Sequence, residues 1–275
     1  MLHKIGMDYG PILKSRKNKR QLPYVARLQK TVDIQRLQGQ VRALLEEQRR
    51  MHGDFAADPA SSEHNYHLKN SKNESFIKNY DEFYRNYSVI GFQTLTDEAR
   101  TLAASLPFSV SDLTPIERLR GMRHTGSNSW YHPHYDERNY TAPTSYQTGA
   151  VREALSSFQS EACRSALVVL NPGQHISPHF DIGPEFISRL HIPIFTNEDA
   201  VFGVRDGDGW LEFHMPADGG IYFVNSGFEH YAVNRGSAPR FQIRVCLNGQ
   251  DDLEGMRTLE PLRRVGYGRI AEEME

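Results

Sequence analysis

The chain has 275 residues, 39% hydrophobic and 11% aromatic, which is enough to bury a substantial core in one large or two small domains. Its 32 basic and 34 acidic residues give a formal net charge of -2 and no global attraction for nucleic acid or anionic lipid. With no apolar run long enough to span a membrane and no secretory segment at its start, the chain reads as a cytoplasmic protein bound to neither nucleic acid nor membrane.

From the N-terminus, "KSRKNKR" (Lys14 to Arg20) is a basic run without interleaved aromatics, so residues 1–30 are expected to form a solvated, mobile arm. Residues 31–160 read as a helical region. In "TVDIQRLQGQVRALLEEQRRM" the residues Ile34, Leu37, Val41 and Leu44 fall at helical spacing after a Thr or Asp cap, which predicts an amphipathic helix in need of a partner surface. A polar stretch, "HGDFAADPASSEHNYHLKNSKNES", reads as a long loop. Shorter helices are predicted at "FIKNYDEFYRNY", "TDEARTLAASL" and "TGAVREALSSFQS", the last starting near Thr148.

After about residue 164, strand-length apolar runs such as "ALVVL" alternate with the turn signals "NPG", "GDG", "ADGG", "NSG" and "RGSAP". Short strands at regular intervals predict a barrel or double-sheet jelly roll over residues 161–250, with the upstream helices on one outer face and a C-terminal extension over 251–275. Cys163 and Cys246 are too few for a disulfide framework and are expected to be reduced and buried.

Two stretches carry a His-x-Asp pattern: "WYHPHYDE" with His134 and Asp136, and "SPHFDIG" with His179 and Asp181. Residues around His134 are rich in Gly, Ser, Asn and Pro, which places that copy in a loop. The second copy follows a strand and a turn, and two later strand-like segments repeat its phase. Because residues two apart in a strand share a face, His179 pairs with Asp181, Arg189 with His191, and Arg240 with Gln242 and Arg244. Ordinary amphipathic alternation would explain any one of these strands alone. Three polar faces made of His, Asp and Arg instead suit a metal and an anionic cosubstrate inside a barrel. A third ligand is then expected from a later strand, and "YFVNSGFEHYAVN" supplies His230. Two imidazoles and one carboxylate leave coordination positions open, as in non-haem iron oxygenases, whereas a structural zinc would take a fourth ligand.

The strings "SPHFDIGPEFISRLHIPI", "GGIYFVNSGFEHYAVN" and "PRFQIRV", within about residues 164 to 250, resemble the aspartyl/asparaginyl β-hydroxylase family of iron(II)- and 2-oxoglutarate-dependent oxygenases, which includes bacterial proline hydroxylases. The resemblance implies a mainly β fold with flanking helices, a double-stranded β-helix (jelly roll) core behind a helical N-terminal region. It implies His179, Asp181 and His230 as ligands of Fe(II), and Arg240 as partner of the distal carboxylate of 2-oxoglutarate, with Arg244 as the rival on the same strand face. Arg189 and His191 match the family's Arg-x-His pair, which helps hold the carboxylates of cosubstrate or substrate. O2 would be the oxidant, and the implied product is a hydroxylated amino acid or derivative, free, acylated, carrier-bound or peptidyl. Asp181 argues against halogenation, which needs the carboxylate ligand replaced.

Arg123, Trp130, Tyr131 and His134 form a candidate substrate loop. Two other readings compete: a non-catalytic metal-binding jelly roll, which would have no need of a buried cosubstrate arginine, and a protein hydroxylase or demethylase of the same chemistry.

Overall fold

Apolar and β-branched runs cut off by Gly, Asn or Asp become strands, because an extended chain lets branched side chains pack on both faces of a pleated surface. The computed structural model describes residues 15–52, 88–106, 108, 122–125, 128–131, 133 and 136–274. Its first half holds β1 (Val25–Thr31), α1 (Ile34–His52), β2 (Ser88–Gly91), β3 (Gln93–Thr94), α2 (Asp97–Ser105), β4 (Met122–Thr125), β5 (Asn128–Tyr131), β6 (Ala142–Pro143) and α3 (Gly149–Ser156). Then come β7 (Glu161–Leu170), β8 (His175–His179), β9 (Ser188–Phe195), β10 (Ala200–Asp206), β11 (Gly209–His214), β12 (Gly220–Val224), β13 (His230–Asn234) and β14 (Arg240–Asn248). The last elements are β15 (Arg257–Thr258), β16 (Arg263–Gly266) and α4 (Tyr267–Met274).

Strands β7 to β14 divide between two antiparallel sheets. One carries the order β12-β9-β14-β7 and the other β11-β10-β13-β8. That division, with the chain crossing repeatedly from one sheet to the other, is a double-stranded β-helix, so the fold is mainly β with a jelly-roll core. The larger sheet is widened by β15 and β1 beyond β12 and by β2 beyond β7, and the smaller by β16 beyond β11.

The helix predicted around Ile34 to Leu44 forms as α1, and the Asp33 side chain caps it by accepting the Arg36 N–H at 3.1 Å. Leu37, Val41 and Leu44 of α1 and Val151, Ala154 and Leu155 of α3 bury against Leu167, Leu190, Ile192, Phe223 and Ile243 on the outer face of the larger sheet. Each fully buried side chain there contributes about 1.5–3 kcal/mol at most. The segment "TDEARTLAASL" also forms a helix, α2, capped by Thr96, whereas "FIKNYDEFYRNY" lies outside the described residues.

Two expectations need correction. Within the stretch read as a mobile arm, the described residues are held to the core: Arg16 donates to the carbonyls of Phe186 and Asn248, Lys19 donates to that of Gly227, and β1 pairs with β12. A basic run gives no sign of such partners, because all of them are carbonyls from more than a hundred positions away. Nor is 31–160 helical throughout, since β2 continues the larger sheet through Val89 opposite Val168. Likewise the segment after residue 250 is woven in, β15 pairing with β1 and β16 with β11. Cys163 and Cys246 are free, buried and opposite one another on β7 and β14. No helix among the described residues is long and apolar enough to cross a membrane.

The outer face of the smaller sheet is covered by α4, with Ile270 against Val201, Trp210, Tyr231, Val233 and Val265. Here Gly203 has Tyr231 as its cross-strand neighbour, and a Cβ on it would lie 2.2 Å from the ring. The ring has nowhere to go, because its hydroxyl donates to buried Glu212 at 2.5 Å and its edge meets Trp210. Gly203→Ala should therefore lower stability by about 1–3 kcal/mol through overpacking, read as a lower urea midpoint.

Candidate metal centre

In the interior between the sheets, apolar positions give way at one end to a polar cluster. His179 ends β8, and Asp181 follows two positions later with the same phase, while Phe180 between them is 64% exposed. His230 opens β13 and is the cross-strand partner of His179. One ligand atom from each of His179, Asp181 and His230 lies within 4.8 Å of the other two.

Backbone contacts fix the ring orientations. Nδ1 of His179 lies 2.8 Å from the Ser177 carbonyl and Nδ1 of His230 lies 2.9 Å from that of Phe228. A carbonyl only accepts, so both Nδ1 atoms carry a proton, and Nε2 is the ring atom that each histidine can offer a metal. Burial, then the neighbouring His179, pushes His230 down to about 4, so it is neutral at physiological pH. The Asp181 N–H donates to the Ser226 carbonyl at 3.0 Å, fixing the turn after β8. Burial alone would raise the Asp181 carboxyl, but Arg189 above all, with Arg244 among the weaker contributors, holds it well below the usual carboxylate range. A neutral His230, a second imidazole and an ionised carboxylate fit a divalent first-row metal such as iron.

The predicted phases hold along β9 and β14. Arg189 and His191 are buried, as are Arg240 and Gln242, while Leu190, Ile192, Ile243 and Val245 pack under the helices. His191 sits between Tyr222 and Arg244 in the cross-strand row. Burial first, then Arg240, Arg244 and Arg189, keeps its pKa far below the ordinary histidine value. It is therefore a neutral hydrogen-bonding group among cations.

Arg189 is engaged by carboxylates of its own chain. Its Nη1 and Nη2 donate to Oε2 and Oε1 of Glu137 at 2.9 and 2.8 Å, and Nη1 also reaches Cys246 Sγ. Its Nε lies 3.0 Å from Asp181 Oδ2, an ion pair without an aligned hydrogen bond. Arg164 donates to the same Glu137 Oε1 at 2.8 Å. A guanidinium filled on both edges by carboxylates of its own chain has no fork left for a ligand.

Of the other predicted positions, His134 lies outside the described residues, and Asp136 is engaged locally. It caps the turn Glu137–Asn139 and pairs with Arg138 at 2.5 Å. In the β4–β5 hairpin the backbone sets Arg123 opposite Trp130 and Met122 opposite Tyr131. Sequence reasoning missed Glu137 and Arg164. Glu137 had one available signal, its place directly after the His-x-Asp copy that was set aside.

Residues 119–247 match the aspartyl/asparaginyl beta-hydroxylase family. The matched span contains every member of the cluster: Glu137, Arg164, His179, Asp181, Arg189, His191, His230, Arg240 and Arg244. It therefore begins upstream of the jelly-roll strands, in the segment that supplies Glu137. No curated protein matches by sequence.

Among solved structures, a 2OG-Fe(II) oxygenase family oxidoreductase from Burkholderia pseudomallei aligns at 12% identity over 68% of this chain and 84% of its own, with a TM-score of 0.32. A predicted oxalate decarboxylase from Thermotoga maritima aligns at 20% identity over 36% and 74%, with a TM-score of 0.25. For a cupin domain from Bordetella pertussis the figures are 14% identity, 34% and 88%, and a TM-score of 0.26. At those scores the fold assignment rests on the strand order itself.

Proposed function

We propose that the protein is an Fe(II)- and 2-oxoglutarate-dependent dioxygenase that hydroxylates an unactivated C–H bond of an amino acid or amino-acid derivative. The observation that carries this reading is the His179, Asp181 and His230 cluster, with ligand atoms within 4.8 Å, inside the segment that matches a hydroxylase family. When bound, iron with 2-oxoglutarate would supply oxidative decarboxylation to succinate and the transfer of one oxygen atom of O2 to substrate.

The chain's own residues have separable tasks in this reading. His179, Asp181 and His230 hold the metal through Nε2 and carboxylate oxygens. Arg240, buried at the start of β14, pairs with the distal carboxylate of 2-oxoglutarate, because a guanidinium stays charged when desolvated and offers a carboxylate two parallel donors. His191, neutral and buried nearby, offers a hydrogen bond without adding charge. Arg244 contributes weakly to keeping Asp181 ionised, which supports giving the distal carboxylate to Arg240 rather than to Arg244. The hairpin bearing Arg123, Trp130 and Tyr131, with His134 beyond it, is assigned to substrate. A small zwitterionic or acylated amino acid suits it.

Turnover under labelled dioxygen tests the proposal. Across a panel of amino acids and their acylated forms, one substrate should accelerate succinate release and gain a single labelled oxygen atom. Unlabelled product, or no 2-oxoglutarate-dependent turnover with iron demonstrably bound, would sink the hydroxylase reading and leave a metal-binding jelly roll.

A further inference from the structure

Four buried or half-buried charges of alternating sign run from β7 to the metal cluster: Arg164, Glu137, Arg189 and Asp181, with contacts of 2.8, 2.8 and 3.0 Å between successive members. Glu137 is the centre of the line. Its two oxygens take the paired fork of Arg189, and Oε1 also takes Arg164. Burial would raise its pKa, but Arg189 and then Arg164 hold it far below the ordinary glutamate value. The far end is anchored as well. The Arg164 N–H donates to the Tyr140 carbonyl at 2.8 Å, its guanidinium lies over the Tyr140 ring, and its φ is 45°, a left-handed conformation that a non-glycine residue adopts only under constraint.

The geometry points to Glu137 as a positioning residue for the metal site, acting through Arg189. Asp181 has two oxygens to place, and Oδ2 already faces Arg189 Nε. The same oxygen lies 3.9 Å from His230 Nε2, so Arg189 and a metal draw on one carboxylate, and the metal keeps its share only while Arg189 is held back. Without the Glu137 charge, the Nη1–Nη2 edge would lose its carboxylate partner and could turn toward Asp181, where Nε already lies, and compete with the metal for it. Glu137 thus sets how much of the Arg189 charge Asp181 receives. This inference rests on the metal-binding part of the proposed function, and it replaces substrate recognition as the task of Arg189.

Titration of the full-length protein with Co(II), followed by its visible ligand-field absorption, tests the inference without turnover. Wild type should bind one Co(II), and Glu137→Gln should bind it about 10- to 100-fold more weakly with a shifted spectrum, the usual consequence of removing the outer partner of a metal ligand. Glu137→Asp keeps the charge but shortens the reach, so it should fall between the two; it also serves if the Gln variant does not fold. Arg189→Gln should itself weaken Co(II), and adding Glu137→Gln to it should cost nothing more, because Glu137 then has nothing to act through. If wild type binds Co(II) and both Glu137 variants match it in affinity and spectrum, the positioning role is wrong while the metal site stands. Failure of wild type to bind any Co(II) would instead remove the metal reading beneath both.

Discussion

His230→Ala should abolish turnover and strip the metal, because the cluster has three donors and His230 is the one most deeply buried. Losing a direct ligand should cost more than the roughly 10- to 100-fold seen when an outer partner is removed. His179→Ala should behave alike, since its ring faces His230 across the strand pair with centroids 4.2 Å apart. His134→Ala is the control and should leave the metal bound. Metal content after anaerobic reconstitution with Fe(II) reads all three. Loss of iron in His134→Ala but not in His179→Ala would mean that the first His-x-Asp copy, not the second, is the site.

Arg240→Ala should weaken 2-oxoglutarate far more than Arg244→Ala. Truncating one partner of a buried charge pair costs about 3–5 kcal/mol, which corresponds to more than a hundredfold in affinity. Arg240 is 4% exposed, whereas Arg244 is only partly buried. Displacement of 2-oxoglutarate from the metal-loaded protein under anaerobic conditions gives the two constants directly. Equal losses, or a larger one at Arg244, would assign the distal carboxylate to the other arginine.

The residues that were legible in the sequence are those whose roles depend on local periodicity. His179 with Asp181, Arg189 with His191, and Arg240 with Gln242 share faces because extended chains alternate, and that alternation survives even the register shifts that β14 makes against β9 and β7. The site itself was readable because the interior of a jelly roll should be apolar, so histidines and arginines in phase there demand a reason. What failed depends on pairing across distance. β1 carries Val25 and Ala26, both buried, one toward each face of the sheet, and a strand buried on both sides shows no polar alternation. Glu137 lies in "YDERNY", which looks like a solvated turn until Arg164 and Arg189 arrive from β7 and β9. The same remoteness hid what Arg189 does: its phase was right, but its occupant is a carboxylate of its own chain.

The two outermost strands beyond β12 also bear on how the chain reaches this structure. β1 sits between β12 and β15, with Ala26 opposite Phe223 on one side and Thr258 on the other. An early strand is therefore held between two late ones. The edge of the larger sheet cannot be completed until residues 220–224 and 257–258 have been synthesised, so the N-terminal strand must wait unpaired while the intervening chain emerges. Loop-closure entropy of that size makes such pairings slow, and an open strand edge is prone to association with other chains in the interval. Closure of this sheet edge is then a late step that follows the rest of the chain. Conditions that slow the arrival of its last strands should raise the fraction lost to aggregation before any active site exists.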